Sequence, residues 1–97
     1  MNELTGKQRR QLRAMGQRLA ATVQVGDNGV TDALVAQVGA QLEARELVKV
    51  RMGVNAPEDR HDTAEALARR TNAHLAQVLG RTALLYRPRK EAPGIVL

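Results

Sequence analysis

The sequence contains no cysteine, no tryptophan and no phenylalanine, and its one aromatic residue is Tyr86. Without cysteine there are no disulfides, no thiolate nucleophiles and no thiolate zinc sites. A small domain that folds without such staples suits the cytosol, so a cytoplasmic location is expected. The shortage of aromatics narrows function further. Modules that read single strands by stacking rely on exposed aromatic rings or Arg planes. If this chain binds nucleic acid, it must do so through phosphates, backbone amides and shape. No apolar run approaches the ~18 residues of a membrane-spanning helix. No basic segment leads into an apolar stretch at the start, so neither a span nor a leader is expected.

What is present is an ordinary apolar fraction, 43% over 97 residues, enough for one compact core and too short for a second. One domain over residues 1–97 is expected, with its core at about 5–88 and an irregular tail at 89–97. The formal net charge is +5, which favours polyanionic partners. That charge is unevenly spread: residues 1–19 carry +4, residues 20–46 carry −3, residues 47–57 carry +2, residues 58–73 carry −1 and residues 74–97 carry +3. A fold that joins the basic segments would make a patch.

Local patterns give the elements. Thr5 and Gln8 have capping-box spacing, and Leu12, Met15 and Leu19 then recur at helical spacing as the expected buried stripe. Arg10 and Arg13 project roughly opposite that stripe, with Lys7, Arg9 and Arg18 on its flanks. A run of cations is often only a solvated helix face, but no acidic residue sits among these to balance them. Thr22-Val23-Gln24-Val25 alternates as a short strand would. Gly26-Asp27-Asn28-Gly29 follows; Asn28-Gly29 could close a hairpin. Thr31 as an N-cap, with Val30 and Val35 at staple spacing, argues instead for a helix bearing Leu34, Val38 and Leu42. Residues 47–52 alternate Val48, Val50 and Met52 against Lys49 and Arg51. A third helix is expected from about Glu58 to Thr71, with Ala64, Leu67 and Ala68 inward and Asn72 as a left-handed terminator. Residues 74–79 and 82–87 read as strands joined at Gly80-Arg81. The result is an α/β (α+β) fold in the order α-β-α-β-α-β-β. Its four-stranded mixed sheet is backed by helices, in a strand order the sequence does not disclose.

The glycine loop is the sharpest local feature. Two glycines three apart permit a tight turn and close approach of a phosphate, and the following helix N-terminus favours an anion. The segments KQRRQLR, VQVGDNGVTDALVAQV, ELVKVRM and VLGRTALLYRP, in that order, resemble the YhbY-type bacterial proteins. These are built from one chloroplast RNA splicing and ribosome maturation (CRM) domain. The resemblance implies a KH-like fold and RNA as partner, specifically ribosomal RNA in precursors of the large subunit. It places the family's glycine loop on Gly26, Asp27, Asn28 and Gly29, with Thr31 next to it. Its basic surface falls on Lys7, Arg10, Arg13, Lys49, Arg51, Arg87 and Lys90, with Arg9 in the same helix. Many plant relatives carry basic residues inside the loop, where this chain has Asp27.

Other readings compete. Glu58, Asp59, His61 and Asp62 form a titratable cluster that could serve an enzyme or a metal. Acidic residues at a helix start are, however, favoured by its dipole alone, and no second ligand cluster accompanies them. Catalysis, a metal and a cofactor are therefore not expected. His74 and Tyr86 read as packed side chains. A ribosome-bound protein adaptor without RNA specificity is a further alternative. DNA binding lacks a helix-turn-helix pair. A monomer is expected.

Overall fold

The computed structural model describes residues 3–97. The elements are α1 (Gly6–Gly16), β1 (Val23–Val25), α2 (Asp32–Arg45), β2 (Leu47–Met52), α3 (Arg60–Arg70), β3 (His74–Leu79) and β4 (Thr82–Tyr86). Each helix starts at a satisfied cap. The Thr5 hydroxyl accepts from the Gln8 amide at 3.1 Å while the Gln8 carboxamide accepts from the Thr5 amide at 3.0 Å. Thr31 accepts from the Leu34 amide, and Val30 and Val35 both pack against the core beneath it. The third helix starts at Arg60, slightly later than expected, because Asp59 is its N-cap and accepts from the His61 and Asp62 amides at 2.7 and 3.1 Å. Asn72, at φ 56, turns the chain out of α3.

The strand order is β1-β2-β4-β3. Helix α2 crosses between the parallel neighbours β1 and β2. Helix α3 carries the chain past the place of β4 to the far edge, where β3 and β4 form an antiparallel hairpin and β4 returns antiparallel to β2. Strand pleating sorts the side chains into two apolar clusters, one on each face. On one face Val23, Val25, Val48, Val50, Met52, Ala83 and Leu85 meet Leu34, Val38 and Leu42 of α2 and Ala64, Leu67 and Ala68 of α3. On the other, Leu47, Ala76, Leu84 and Tyr86 meet Leu12 of α1, with Ile95 and Leu97 of the tail packed against them. Tyr86 is buried and stacks on His74, ring centroids 6.0 Å apart.

Helix α1 departs from the expected orientation. Leu12 is fully buried, but Met15 and Leu19 are each 37% exposed, and the helix ends before Leu19. The inner face consists of Arg9, Leu12 and Gly16, which turns the helix by roughly 60° at 100° per residue. The cause is close approach: a Cβ on Gly16 would lie 2.6 Å from Leu84 Cδ2. A glycine can line a buried face without registering in a hydrophobic pattern.

The tail contains no helix or strand, yet it is held to the sheet. Glu46 caps α2 at φ 67 and is 2% exposed. Its carboxylate accepts from the amides of Arg89, Gly94 and Ile95 and lies 3.9 Å from the Arg89 guanidinium. Burial pushes this carboxyl up, but the three amides and the Arg89 charge outweigh it and hold it below the ordinary glutamate value.

Candidate nucleic-acid interface

The sheet separates charge by face. Because Val48, Val50 and Met52 point towards α2 and α3, the intervening Lys49 and Arg51 point to the side that α1 covers. Neither α1 nor any of the strands contains an acidic residue. The acids within helices belong to α2 and α3, where cations partly answer them: Arg70 pairs with Asp32, and Arg87 with Glu43. The helix and strands of the α1 side are therefore free of acids, and the acids nearest them, Glu3, Glu46 and Glu91, belong to the connecting segments and the tail.

Helix α1 turns one flank to the tail, where Gln11 Nε2 donates to the Val96 carbonyl at 2.7 Å. Its opposite flank carries the half-buried Arg13 and the exposed Arg10. That flank faces the carboxyl ends of β1 and β2, where Arg51 lies exposed in register with Gln24 and Thr82. Lys7 stands on the outer surface of the helix and Lys49 is half-buried beside it. Arg9 is different. Its guanidinium reaches under the helix and donates to the Leu75 carbonyl at 2.6 Å. It also depresses the His74 pKa, second to the effect of burial. Arg9 ties α1 to β3.

The Gly26–Gly29 loop sits at the same end of the sheet. It closes with the Gly29 amide donating to the Gly26 carbonyl at 3.0 Å, and the Thr31 amide donates to the Gly29 carbonyl at 3.1 Å. Two amides of the loop thus serve its own turn. Gly29 requires glycine, at φ +69 with Pro57 Cγ 3.1 Å from where a Cβ would stand. Gly26 has open space there. Asp27 and Asn28 are exposed at the tip, and a shallow cavity of about 270 Å³ lies beside the loop, bounded by Gln24, Thr31 and Gln37.

Not every basic residue singled out from the sequence joins this face. Arg87 and Lys90 lie at the other end of the strands, since Tyr86 pairs with Leu47 while Thr82 pairs with Arg51. Five residues of strand separate Arg51 from the Arg87 end, about 16 Å. The Arg87 guanidinium donates to the Thr71 carbonyl at 2.6 Å, the Gly39 carbonyl at 3.1 Å and Glu43 at 3.1 Å. It joins α2 to the end of α3. Arg81 and Arg45 are exposed cations that the sequence did not single out. Arg81, read as a turn residue, accepts the Met52 amide on its carbonyl at 2.7 Å, but its side chain lines a cavity with Glu58, Asp59 and His61 at the start of α3, away from the α1 face. Arg45 lines the cavity beside Met15 and Leu19, and Arg18, already grouped with the α1 cations, is exposed just past the end of the helix. Only the strand order brings Arg81 to the acidic start of α3, and nothing local encodes that order.

The sequence profile of the CRS1 / YhbY (CRM) domain matches residues 4–87. The chain belongs to the CRM domain family. Among its relatives is the "Probable RNA-binding protein YqeI" of Bacillus subtilis, 45% identical over 94 residues, 97% of this chain and 98% of that one. An "RNA-binding protein" of Haemophilus influenzae is 33% identical over 92 residues, covering 95% of this chain and 93% of that one. The solution structure of a hypothetical Staphylococcus aureus protein, SAV1595, has 37% sequence identity and a TM-score of 0.83, covering 98% of this chain and 99% of that one. The mixed α+β arrangement is thus that of a solved relative.

In this CRM domain the acidic cluster at the start of α3 has a local role. Asp59 is held below the ordinary aspartate value by the Asp62 and His61 amides it accepts. Asp62 is raised by its hydrogen bond to Asp59 and by that neighbour's charge. All four members are exposed, and among the described residues no group of three or more His, Asp or Glu side chains is placed to hold a metal ion.

Proposed function

We propose that this CRM domain is an RNA-binding module that grips the phosphate backbone with the face shared by α1 and the sheet. The observation that carries the reading is the charge separation across the sheet: Lys49 and Arg51 project on the α1 side, where neither the helix nor the strands supply an acid. Relatives that cover nearly the whole chain are named RNA-binding proteins, which supports RNA over other polyanions. Lys7, Arg10, Arg13, Lys49 and Arg51 form the contact, and the glycine loop lies at the same end of the sheet as Arg51. Arg9, Arg87 and the tail that carries Lys90 act mainly within the fold. Gly26 to Thr31 contribute the amides their own turn leaves open, and the N-terminus of α2 adds its dipole. The RNA is ribosomal RNA of large-subunit precursors, bound by a monomer in the cytoplasm, without catalysis. Such contacts position the protein on a backbone and carry little base information. Filter-binding competition between structured ribosomal RNA fragments and duplex DNA of equal length tests this. RNA should compete at clearly lower concentration, and equal competition by DNA would refute the assignment.

A further inference from the structure

The rotation of α1 leaves two large apolar side chains without a partner in the core. Met15 and Leu19, each 37% exposed, line a cavity of about 420 Å³ together with Leu47 and with Ile95 of the tail. The exposed Arg45 and the half-buried Lys49 also line it, and no acidic residue does. Neither cation has an ion-pair partner among the described residues. Apolar side chains beside unpaired cations suit a ligand that is flat and apolar at one end and anionic at the other. The volume falls within the range of small-ligand sites. An amphipathic helix would need an extended groove with anchors every three or four residues, whereas Met15, Leu19, Leu47 and Ile95 line a single cavity.

We propose that this cavity takes one unpaired nucleobase of the bound RNA, with its phosphate held by Lys49. The inference rests on the RNA-binding reading above and adds a base-contacting subsite to it. Lys49 belongs to both surfaces, so a strand crossing the α1 face passes the cavity. In a chain without exposed aromatic rings, the base is sandwiched by soft aliphatic groups, the Met15 thioether and Leu19, and by the Arg45 guanidinium plane, which stacks on bases as aromatic rings do. Ile95 is held in place because Glu46 accepts from its amide.

The test compares a short single-stranded RNA of mixed sequence with the same oligomer made abasic at its central nucleotides. Both are titrated at one low salt concentration into the full chain and into a Met15→Ser, Leu19→Ser variant. The intact chain should prefer the base-bearing RNA by about five-fold or more, and the variant should lose that preference while melting normally. Methyl resonances of Met15, Leu19 and Ile95 should move upfield only with the base-bearing RNA, because the ring current of a bound base is the one new source of such shifts. Equal affinity for both RNAs with unmoved methyls would overturn the subsite and leave the phosphate-binding reading standing. Binding of neither RNA would overturn both. Methyl shifts caused by an acidic amphipathic peptide and by neither RNA would assign the cavity to a protein partner instead.

Discussion

Gly16 and Gly39 are both helical glycines, and replacing each by alanine should shift stability in opposite directions. At Gly16 the new methyl would stand 2.6 Å from Leu84 Cδ2 and 3.0 Å from Leu84 Cδ1. Leu84 is buried in the sheet against Leu12 and cannot swing away freely. Overpacking of this kind costs about 1–3 kcal/mol. The helix-propensity gain at the last residue of α1 offsets at most about 1 kcal/mol of that. The net is a loss of about 1–2 kcal/mol, and each kcal/mol lowers Tm by about 4–8 °C in a domain of this size. At Gly39, in the middle of α2, a Cβ meets nothing within 4 Å. Alanine there should raise stability by about 0.4–1 kcal/mol. A Leu84→Val change should relieve part of the Gly16→Ala penalty, so the double variant loses less than the two single losses together. Urea and thermal melts of the four variants give the comparison. If α1 instead buried Met15 and Leu19, Gly16 would lie at the solvent flank and Gly16→Ala would stabilise as Gly39→Ala does. That result would refute the packing of α1, and with it the placement of Arg10 and Arg13 towards Arg51.

Two further perturbations address the loop and the tail. Asp27→Asn removes a negative charge from the exposed loop tip and should tighten RNA binding by about 0.5–1 kcal/mol with an unchanged melt. Gly29→Val should weaken both binding and folding, because its φ of +69 and the nearby Pro57 exclude a branched side chain; unchanged RNA affinity in both variants would move the interface off this loop. Glu46→Gln should cost about 1–3 kcal/mol at neutral pH by weakening the amide bonds that hold the tail. Since the folded-state pKa of Glu46 is depressed, its stabilisation is complete above the unfolded value of about 4.3 and is lost as pH falls through the lower folded value. The gap between wild type and variant in urea melts should be constant from neutrality to about pH 5 and narrow below about pH 4. A gap that widens on acidification would contradict the latch.

The parts of the fold that local chemistry encodes were readable in the sequence. Thr5 with Gln8, Thr31 between Val30 and Val35, and Asn72 mark helix ends because each satisfies a backbone requirement within a few residues. The alternation in residues 47–52 correctly set Lys49 and Arg51 apart from the core. What escaped the sequence depends on distant partners. The inner face of α1 is set by Leu84, far along the chain, which meets a glycine where a hydrophobic residue was sought. Arg9 and Arg87 look like surface cations in one dimension, yet their guanidinium groups bridge backbone carbonyls across the fold. Glu46 gives no local sign that it will be buried under a tail whose amides it accepts. The order β1-β2-β4-β3 divides the candidate basic surface, keeping Arg51 at the glycine-loop end and removing Arg87 and Lys90 to the other.

The central claim, that the α1 side of the sheet holds an RNA backbone by charge, is tested most directly by the salt dependence of RNA affinity. This should be measured for the wild type and for a variant with Arg10→Glu and Arg51→Glu. Both residues are exposed and lack ion-pair partners among the described residues, so the variant should melt close to wild type. For wild type, the logarithm of the affinity should fall linearly with the logarithm of salt concentration, with a slope that reflects about 4–7 phosphate contacts. For the variant, affinity at low salt should drop several-fold for every RNA tried, and the slope should be shallower by about two contacts. A wild-type affinity indifferent to salt, or a variant with the same slope and affinity as wild type, would contradict the account.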